Sequence, residues 1–412
     1  MNASKIAAIL LILAAASAAW WVLGSSMHQR TQQSASDMGA SVASSWGAPL
    51  TQNAPTFSVA VPGSDQVRWI LPVENTVTVS LDADYRRKGL LWFPTYVCAF
   101  SGRYTVSNDE AVAQKLRFHF AFPTPDGTYD AFQMAINGTP YTQPLKIAEG
   151  VDEFVELQPG ESAEVSVAYT TRGLGTWWYR PAPQTGRVQQ LALTVNTNFR
   201  DVDYPESSLS PARAEDSAEG KTLTWQATDL ITSASIGVVV PELLNPGPLT
   251  ARIIFFAPFC LVFFFVLVAA INIVYRVNIH PMHYLFVAAG FFAFHLLLAY
   301  LADLVPIHGA FMISAAVSVF LVTTYLSAAL KGAFPWKIAA AGQLLYLVLF
   351  SYSFFLEGLS GLTIAVGSVI TLAILMRVTA HLNWEEVFAR EAKHAARNTN
   401  PLAHTTPETT TD

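Results

Sequence analysis

The apolar residues of this chain are not spread along it but gathered into one stretch at the start, 6–23, and five in the last third. Those five are 253–274, 284–301, 311–330, 338–356 and 362–376. A helix that crosses a bilayer needs about 20 predominantly apolar residues. Each stretch is therefore a candidate span, for a total of six. Between the lone first stretch and the cluster lie residues 25–250, which read as soluble. Such a chain is an integral membrane protein that carries one large domain on one side of a bilayer.

Lysines and arginines set the expected orientation, because short loops rich in them stay in the cytoplasm. Lys5 precedes the first span, Arg276 follows the second, and Lys331 and Lys337 lie between the fourth and fifth. Arg377, Arg390, Lys393 and Arg397 follow the sixth. The alternate loops, 302–309 and 357–361, have neither residue type and carry Asp303 and Glu357. The expected topology has both termini inside and the large domain outside, in a bacterial setting the periplasm. Arg252, at the outer edge of the second span, is the exception; a flanking arginine can snorkel to the headgroups. The first stretch has a second reading. Lys5, the apolar run 6–16 and Ala16-Ser17-Ala18 also resemble a secretory signal with a cleavage site. Trp20, Trp21, Val22 and Leu23 continue the run and suit an uncleaved anchor.

Charge and cysteine content narrow the classes further. Acidic residues outnumber basic ones, 30 against 24, which argues against a nucleic acid partner. Cys98 falls in the large domain and Cys260 inside a span, so the domain has no disulfide framework and must rest on its own core.

That domain reads as strands. Leu116, Phe118, Phe120 and Phe122 alternate with more polar neighbours, as do Ala163, Val165, Val167 and Tyr169, and Leu191, Leu193 and Val195. Turn chemistry separates the runs at Pro125-Asp126-Gly127, Asn137-Gly138 and Gln158-Pro159-Gly160-Glu161. Many short strands with regular turns predict a sandwich of antiparallel sheets. Residues 24–52, rich in Ser, Ala and Gln, are either a helical extension of the anchor or a stalk. Asn245-Pro246-Gly247-Pro248 marks the return to the membrane, and the Thr-rich tail from Glu391 is expected to be disordered.

Several short motifs resemble the CreD family of bacterial inner-membrane proteins. They are His280-Pro281-Met282-His283-Tyr284-Leu285 with Phe294 and Leu296-Leu297-Leu298, then Leu330-Lys331-Gly332, Phe355-Leu356-Glu357-Gly358 and Leu382-Asn383-Trp384. Arg86-Arg87-Lys88-Gly89, followed by Pro94, Tyr96 and Ser101-Gly102-Arg103-Tyr104, looks like the family's basic-glycine strand pair. Two positions depart from the pattern. Ala302-Asp303-Leu304 with a displaced His308 stands where the family has a Ser-Glu-His-like group, and His381 stands for an arginine. The resemblance implies a role in envelope integrity and stress response, tied in the family to β-lactam exposure and colicin tolerance. It implies no known reaction.

Candidate functional residues are His280, Pro281, Tyr284, His295, Asp303, Lys331, Gly332 and Glu357. His280 and His283 form an HxxH whose spacing on a helix can bind a metal. No carboxylate or cysteine completes such a site, and Pro281 suits a helix start. His295 falls near mid-span, where an ionisable group faces the bundle interior and needs a partner. Gln343, Thr323, Thr324 and Tyr325 are the candidates, and the alternatives are a packing histidine or a proton or ligand site. Asp303 and His308 bracket a short loop and can pair. Trp177-Trp178-Tyr179-Arg180 either packs in the core or rests on the bilayer, and Arg86-Arg87-Lys88 is either a solvated turn or a contact for anionic lipid or polymer. No nucleophile elbow, phosphate loop or acid pair stands out.

The expected molecule is thus an α+β membrane protein in four parts: an anchor, 1–24; a periplasmic antiparallel β-sandwich-like domain, 25–250; a five-helix transmembrane bundle, 251–380; and a cytoplasmic tail, 381–412. Its expected role is envelope integrity or stress response, without catalysis or cofactor, with the lipid bilayer and an envelope component as partners. The alternative is a transporter or lipid-handling protein whose β domain binds a ligand.

Overall fold

The computed structural model describes residues 3–89, 91–275, 279–330, 335–356 and 358–380. The chain separates into two compact units, Met1–Gln33 with Asn245–Asp412, and Ser34–Leu244.

The first helix of the chain is α1, Ala3–Ser45. This helix does not stop near residue 24, so the Ser/Ala/Gln-rich segment is a helical extension rather than a stalk. Ala, Gln and Ser interrupt a helix little, and the first turn-forming glycine after it is Gly47. Then follow α2, Pro246–Tyr275, α3, Pro281–Leu301, and α4, Ile307–Ala329. The next helix, α5, is composite. It runs Trp336–Gln343, passes through a π-helical stretch Leu344–Leu349, and closes through Phe350–Tyr352 and a 3₁₀ turn Ser353–Phe355. The last, α6, is Ser360–Thr379. Five helices among the described residues are long and apolar enough to cross a membrane: α1 to α5. The expected sixth span lies in α6, whose apolar run, Ser360–Ile374, is shorter. One apolar cluster holds the unit together, with Phe264, Phe291, Phe294 and Phe350 at its centre.

Among the described residues the β domain has seventeen strands. In chain order they are β1 Leu50–Asn53, β2 Thr56–Ala60, β3 Val67–Ile70, β4 Glu74–Ala83, β5 Arg86–Lys88 and β6 Leu91–Phe93. Next come β7 Thr95–Ser107, β8 Gln114–Phe120, β9 Asp130–Ile136, β10 Thr139–Pro140, β11 Val151–Leu157 and β12 Ser162–Leu174. The last are β13 Thr176–Arg180, β14 Arg187–Thr197, β15 Arg213–Asp216, β16 Lys221–Ile231 and β17 Ile236–Val239. They form an eight-stranded sheet in the order β10-β9-β12-β7-β4-β14-β16-β15, a four-stranded sheet β11-β8-β2-β3, a three-stranded sheet β1-β13-β17 and the pair β5-β6.

Alternation decides which face goes inward. Leu116, Phe118 and Phe120 of β8, Val165, Val167 and Tyr169 of β12, and Leu191, Leu193 and Val195 of β14 all enter one core. Trp177 and Tyr179 enter it too, which settles the aromatic cluster as core on that face, with their rings parallel at 6.3 Å. Asn137 and Gly138, at φ 49° and 76°, make the β9–β10 turn, the mirror-image geometry that Asn-Gly favours. Gly173 is required by close approach: a Cβ there would lie 2.3 Å from the Tyr96 ring across the ladder. The buried phenols are tied by hydrogen bonds: Tyr169 donates to Gln52 Oε1 at 2.6 Å, Tyr96 to Thr176 O at 2.7 Å, and the Tyr104 and Tyr179 hydroxyls meet at 3.2 Å. Burial pushes the Tyr104 and Tyr169 phenols and the Cys98 thiol well up, so all remain neutral.

The sheets are not wholly antiparallel. Most ladders are, but β1 pairs with β13 in parallel and β4 pairs with β14 in parallel. Strands far apart in sequence meet there, with no hairpin to impose the opposite direction.

Candidate functional site

In the helical unit the HxxH resolves into a helix start. His280 sits at the N-cap of α3 with extended backbone, φ −77° and ψ 145°, and its Nδ1 accepts from Met282 N at 3.2 Å. Pro281 takes the first helical position, where its missing N–H costs nothing. His283 turns to α4, with Nδ1 2.9 Å from the Tyr325 hydroxyl. One histidine caps and the other crosses to a neighbouring helix, so their spacing serves α3 rather than a shared ligand. Tyr284, next along, is buried edge-on against Phe265 at 5.0 Å.

His295 is fully buried among helices, as expected. Its partner is not the expected one. Nδ1 lies 2.8 Å from Phe291 O, one turn back on its own helix. A carbonyl only accepts, so Nδ1 carries the proton. The four polar candidates are all engaged elsewhere. Thr323 and Thr324 donate to Val319 O and Phe320 O of their own helix, Tyr325 meets His283, and Gln343 Nε2 donates to Ser318 Oγ at 3.0 Å. The cause is local: the carbonyl one turn back on α3 is within reach of the ring, so no other helix need supply the acceptor. The His295 ring packs edge-on against Trp20 at 5.5 Å and Phe294 at 4.7 Å. Its Nε2, like Trp20 Nε1 and Gln343 Oε1, is buried with no hydrogen-bond partner among the described residues.

Sequence reasoning missed a polar relay across three helices. Gln343 of α5 donates to Ser318 of α4, whose hydroxyl donates to Gly290 O of α3 at 2.7 Å. Gly290 is small because Val322 packs onto it; a Cβ would lie 2.4 Å from Val322 Cγ2. The signal was present in Ser314 and Ser318, both fully buried and four residues apart, the small-residue spacing of close helix contacts.

Asp303 does not pair with His308. It accepts from Arg30 of α1 at 2.5 Å, while His308 lies beside Tyr352 and Phe355. Arg252, the exception to the charge pattern, rests its guanidinium 5.7 Å from the Phe354 ring. Lys331, Gly332 and Glu357 lie outside the described residues, as do Arg276 and the closing Leu382-Asn383-Trp384. The candidates that are described do not converge on one point: His280 caps, His295 bonds its own helix, and Asp303 joins α1.

In the β domain, Arg86-Arg87-Lys88 is strand β5 itself, turning at Gly89 (φ 59°) into β6. Arg86 pairs with Asp84 at 2.7 Å and lies 3.9 Å over Trp46. Arg172 covers the same indole at 4.9 Å, and Lys88 donates to Ser41 Oγ. These cations are therefore committed partly to Trp46 and the end of α1.

Among solved structures, a candidate nutrient binding protein from Legionella pneumophila resembles the chain loosely, at 14% identity and a TM-score of 0.34, over 49% of this chain and 74% of its own. No curated protein matches. The last strands of the β domain and the helices are another matter: residues 210–385 match the family model described as inner membrane protein CreD, the family that the short motifs resemble, and with five membrane-length apolar helices the chain is a multi-pass inner-membrane protein.

Proposed function

We propose that this protein works in maintaining or sensing the state of the cell envelope, without catalysis, with its β domain in the periplasm and both ends in the cytoplasm. The observation that carries the reading is the use made of the polar groups in the helical unit. His280, His283, Ser318 and Gln343 are spent on caps and helix–helix contacts, and Asp303 on a surface ion pair. The family match over residues 210–385 and the Lys and Arg content of the short loops support the location and the orientation.

A second reading has one specific observation in its favour. His295 Nε2 and Gln343 Oε1 are buried without partners among the described residues, and a lipid-handling or transport role would use such atoms. Deleting the gene and challenging the cells with a β-lactam tests the first reading; lowered survival, restored by the wild-type chain, is expected. His295→Leu separates the two. It restores survival if the histidine only packs, and accumulates normally but fails to restore it if transport is the task. Reporters fused after residues 150 and 390 test the orientation, and a cytoplasmic signal at 150 would overturn it.

A further inference from the structure

The four-stranded sheet β11-β8-β2-β3 sends Phe57, Leu116, Phe118 and Phe120 into the core and turns its other face outward. Register fixes who stands beside whom on that outward face. Ser58 is opposite both Trp69 and Arg117, and Arg117 is opposite Phe154. Directly opposite residues share a face, so Trp69, Ser58, Arg117 and Phe154 form one row across all four strands. Thr56, His119 and Asp152 form the next row. Three strand spacings separate the two aromatic residues, about 14 Å along the row.

At the Trp69 end the face deepens into a cleft of about 240 Å³, lined by Asn53, Ser58, Trp69, Arg117, His119 and Gln184 among others. Asn53 Oδ1 there is enclosed, with no hydrogen-bond partner among the described residues. An enclosed amide oxygen left unpaired carries a desolvation cost that a polar ligand would relieve. Ser58, 6% exposed, adds a hydroxyl to the same wall.

The charges of the face decide the class of ligand. Arg117 Nε donates to Asp152 Oδ1 at 2.8 Å, and His119 Nδ1 lies 3.3 Å from the same oxygen. Arginine and aspartate neutralise each other, so an anion would have to displace Asp152 and a cation would have to displace Arg117. What the row offers instead is donors and acceptors together: the remaining guanidinium N–H groups, the second carboxylate oxygen, the serine hydroxyl and two amides. Beside them stand two exposed rings, Trp69 at 41% and Phe154 at 53%, the latter carrying Lys115 Nζ at 4.7 Å. Flat apolar rings flanking a polar row match a ligand whose own faces are apolar C–H and whose edges are hydroxyls.

We propose that this outward face binds a neutral oligosaccharide, seated on Trp69 in the cleft and running along the row towards Phe154. The site gives the β domain a ligand and so deepens the envelope reading, on which its biological use rests. Binding itself is measured without any phenotype, so one can fail while the other stands.

The test titrates the full chain, in a detergent without a sugar headgroup, with the tetramers of N-acetylglucosamine and of glucose by calorimetry. Saturable binding of at least one is expected. Trp69→Ala weakens it about tenfold or more, the loss of one well-packed aromatic contact. Phe154→Ala weakens the tetramer and leaves the corresponding dimer unchanged, because a dimer seated on Trp69 does not reach it. Trp92→Ala, an exposed tryptophan on β6 outside the cleft, leaves binding as it was. If Trp69→Ala lowers the unfolding midpoint, Trp69→Phe, which keeps a ring, restores binding. No saturable heat with either tetramer, binding indifferent to Trp69, or displacement of the sugar by inorganic phosphate would each overturn the proposal.

Discussion

The two units of this chain handle buried polar groups in opposite ways. In the β domain the phenols reach across the fold: Tyr169 to Gln52, Tyr96 to Thr176, Tyr104 to Tyr179. In the helical unit most polar side chains turn back on their own helix. Ser314, Thr323, Ser368, Thr371 and His295 each contact the carbonyl four residues earlier. The backbone explains the difference. A helical carbonyl has a second lone pair within reach of the side chain one turn on, whereas a ladder leaves nothing so close along the strand. Polar residues in spans are thereby satisfied locally at little cost, and the exceptions, such as Gln343 and Ser318, are the ones that join helices.

The sharpest way to break this contrast is to remove apolar mass where it is truly core. Phe118→Ala should destabilise the β domain by about 3–5 kcal/mol, read as a lower unfolding midpoint of the full chain by near-ultraviolet dichroism. Phe259→Ala, at a position of α2 that is 60% exposed and whose ring stacks on Phe256 of its own helix, should lower the midpoint far less. Equal effects would mean that Phe118 is not the core residue described.

A second comparison bears on the polar groups themselves. Tyr169→Phe strands the Gln52 amide oxygen in the β core and should cost about 1–3 kcal/mol. Ser314→Ala removes a bond to its own helix and should cost a few tenths at most, since the Ala310 carbonyl keeps its helical partner. A third, Gln343→Leu, breaks the relay to Ser318 and should cost about 0.6 kcal/mol, with an upper bound of ~1.7; thermal inactivation in detergent measures it. A loss as small as that of Ser314→Ala would remove the relay's claim to join the helices.

The smallest effect lies on the β domain's surface. Arg187 grips Asp229 at 2.6 and 2.7 Å and holds its carboxyl below the usual carboxylate range. A carboxyl lowered on folding stabilises above its unfolded pKa, and the gain disappears as pH falls through the folded value. The stability gap between wild type and Asp229→Asn should therefore be slight at neutral pH and close in acid. A gap that widened in acid would contradict the assignment.

Much of this fold is legible in the sequence. Period-two runs around Phe118, Val165 and Leu193 mark strands because one face of each must be buried, and Asn137-Gly138 marks its turn because few other pairs tolerate both left-handed positions. His280-Pro281 marks the start of α3 for reasons local to three residues. What stayed hidden was partnership at a distance. Nothing local tells Asp303 of Arg30, Trp46 of Arg86 and Arg172, or β4 of its parallel neighbour β14. The partner of His295 is hidden for a different reason: it is a backbone carbonyl of the same helix, and no side chain in the sequence marks it. The row from Trp69 to Phe154 is of the same kind, since register across four strands creates it and no one of those strands reveals it.

The three-stranded sheet has a consequence for the order in which this protein comes into being. Leu50 of β1 lies beside Trp177 of β13, and Trp177 lies beside Val238 of β17, so one small sheet joins the first strand of the domain, a middle one and the last. Pairings between such distant segments pay their loop-closure entropy before they return any contact, and they form slowly. A ribosome delivers the chain from its N-terminus, so β1 must wait for β13, and the sheet stays open at one edge until β17 arrives. That strand ends at Val239, a few residues before α2 begins at Pro246. The domain thus completes itself only as the next membrane helix is being made, which leaves its unfinished edges exposed through most of synthesis and makes any truncation before Val239 a truncation of the whole fold.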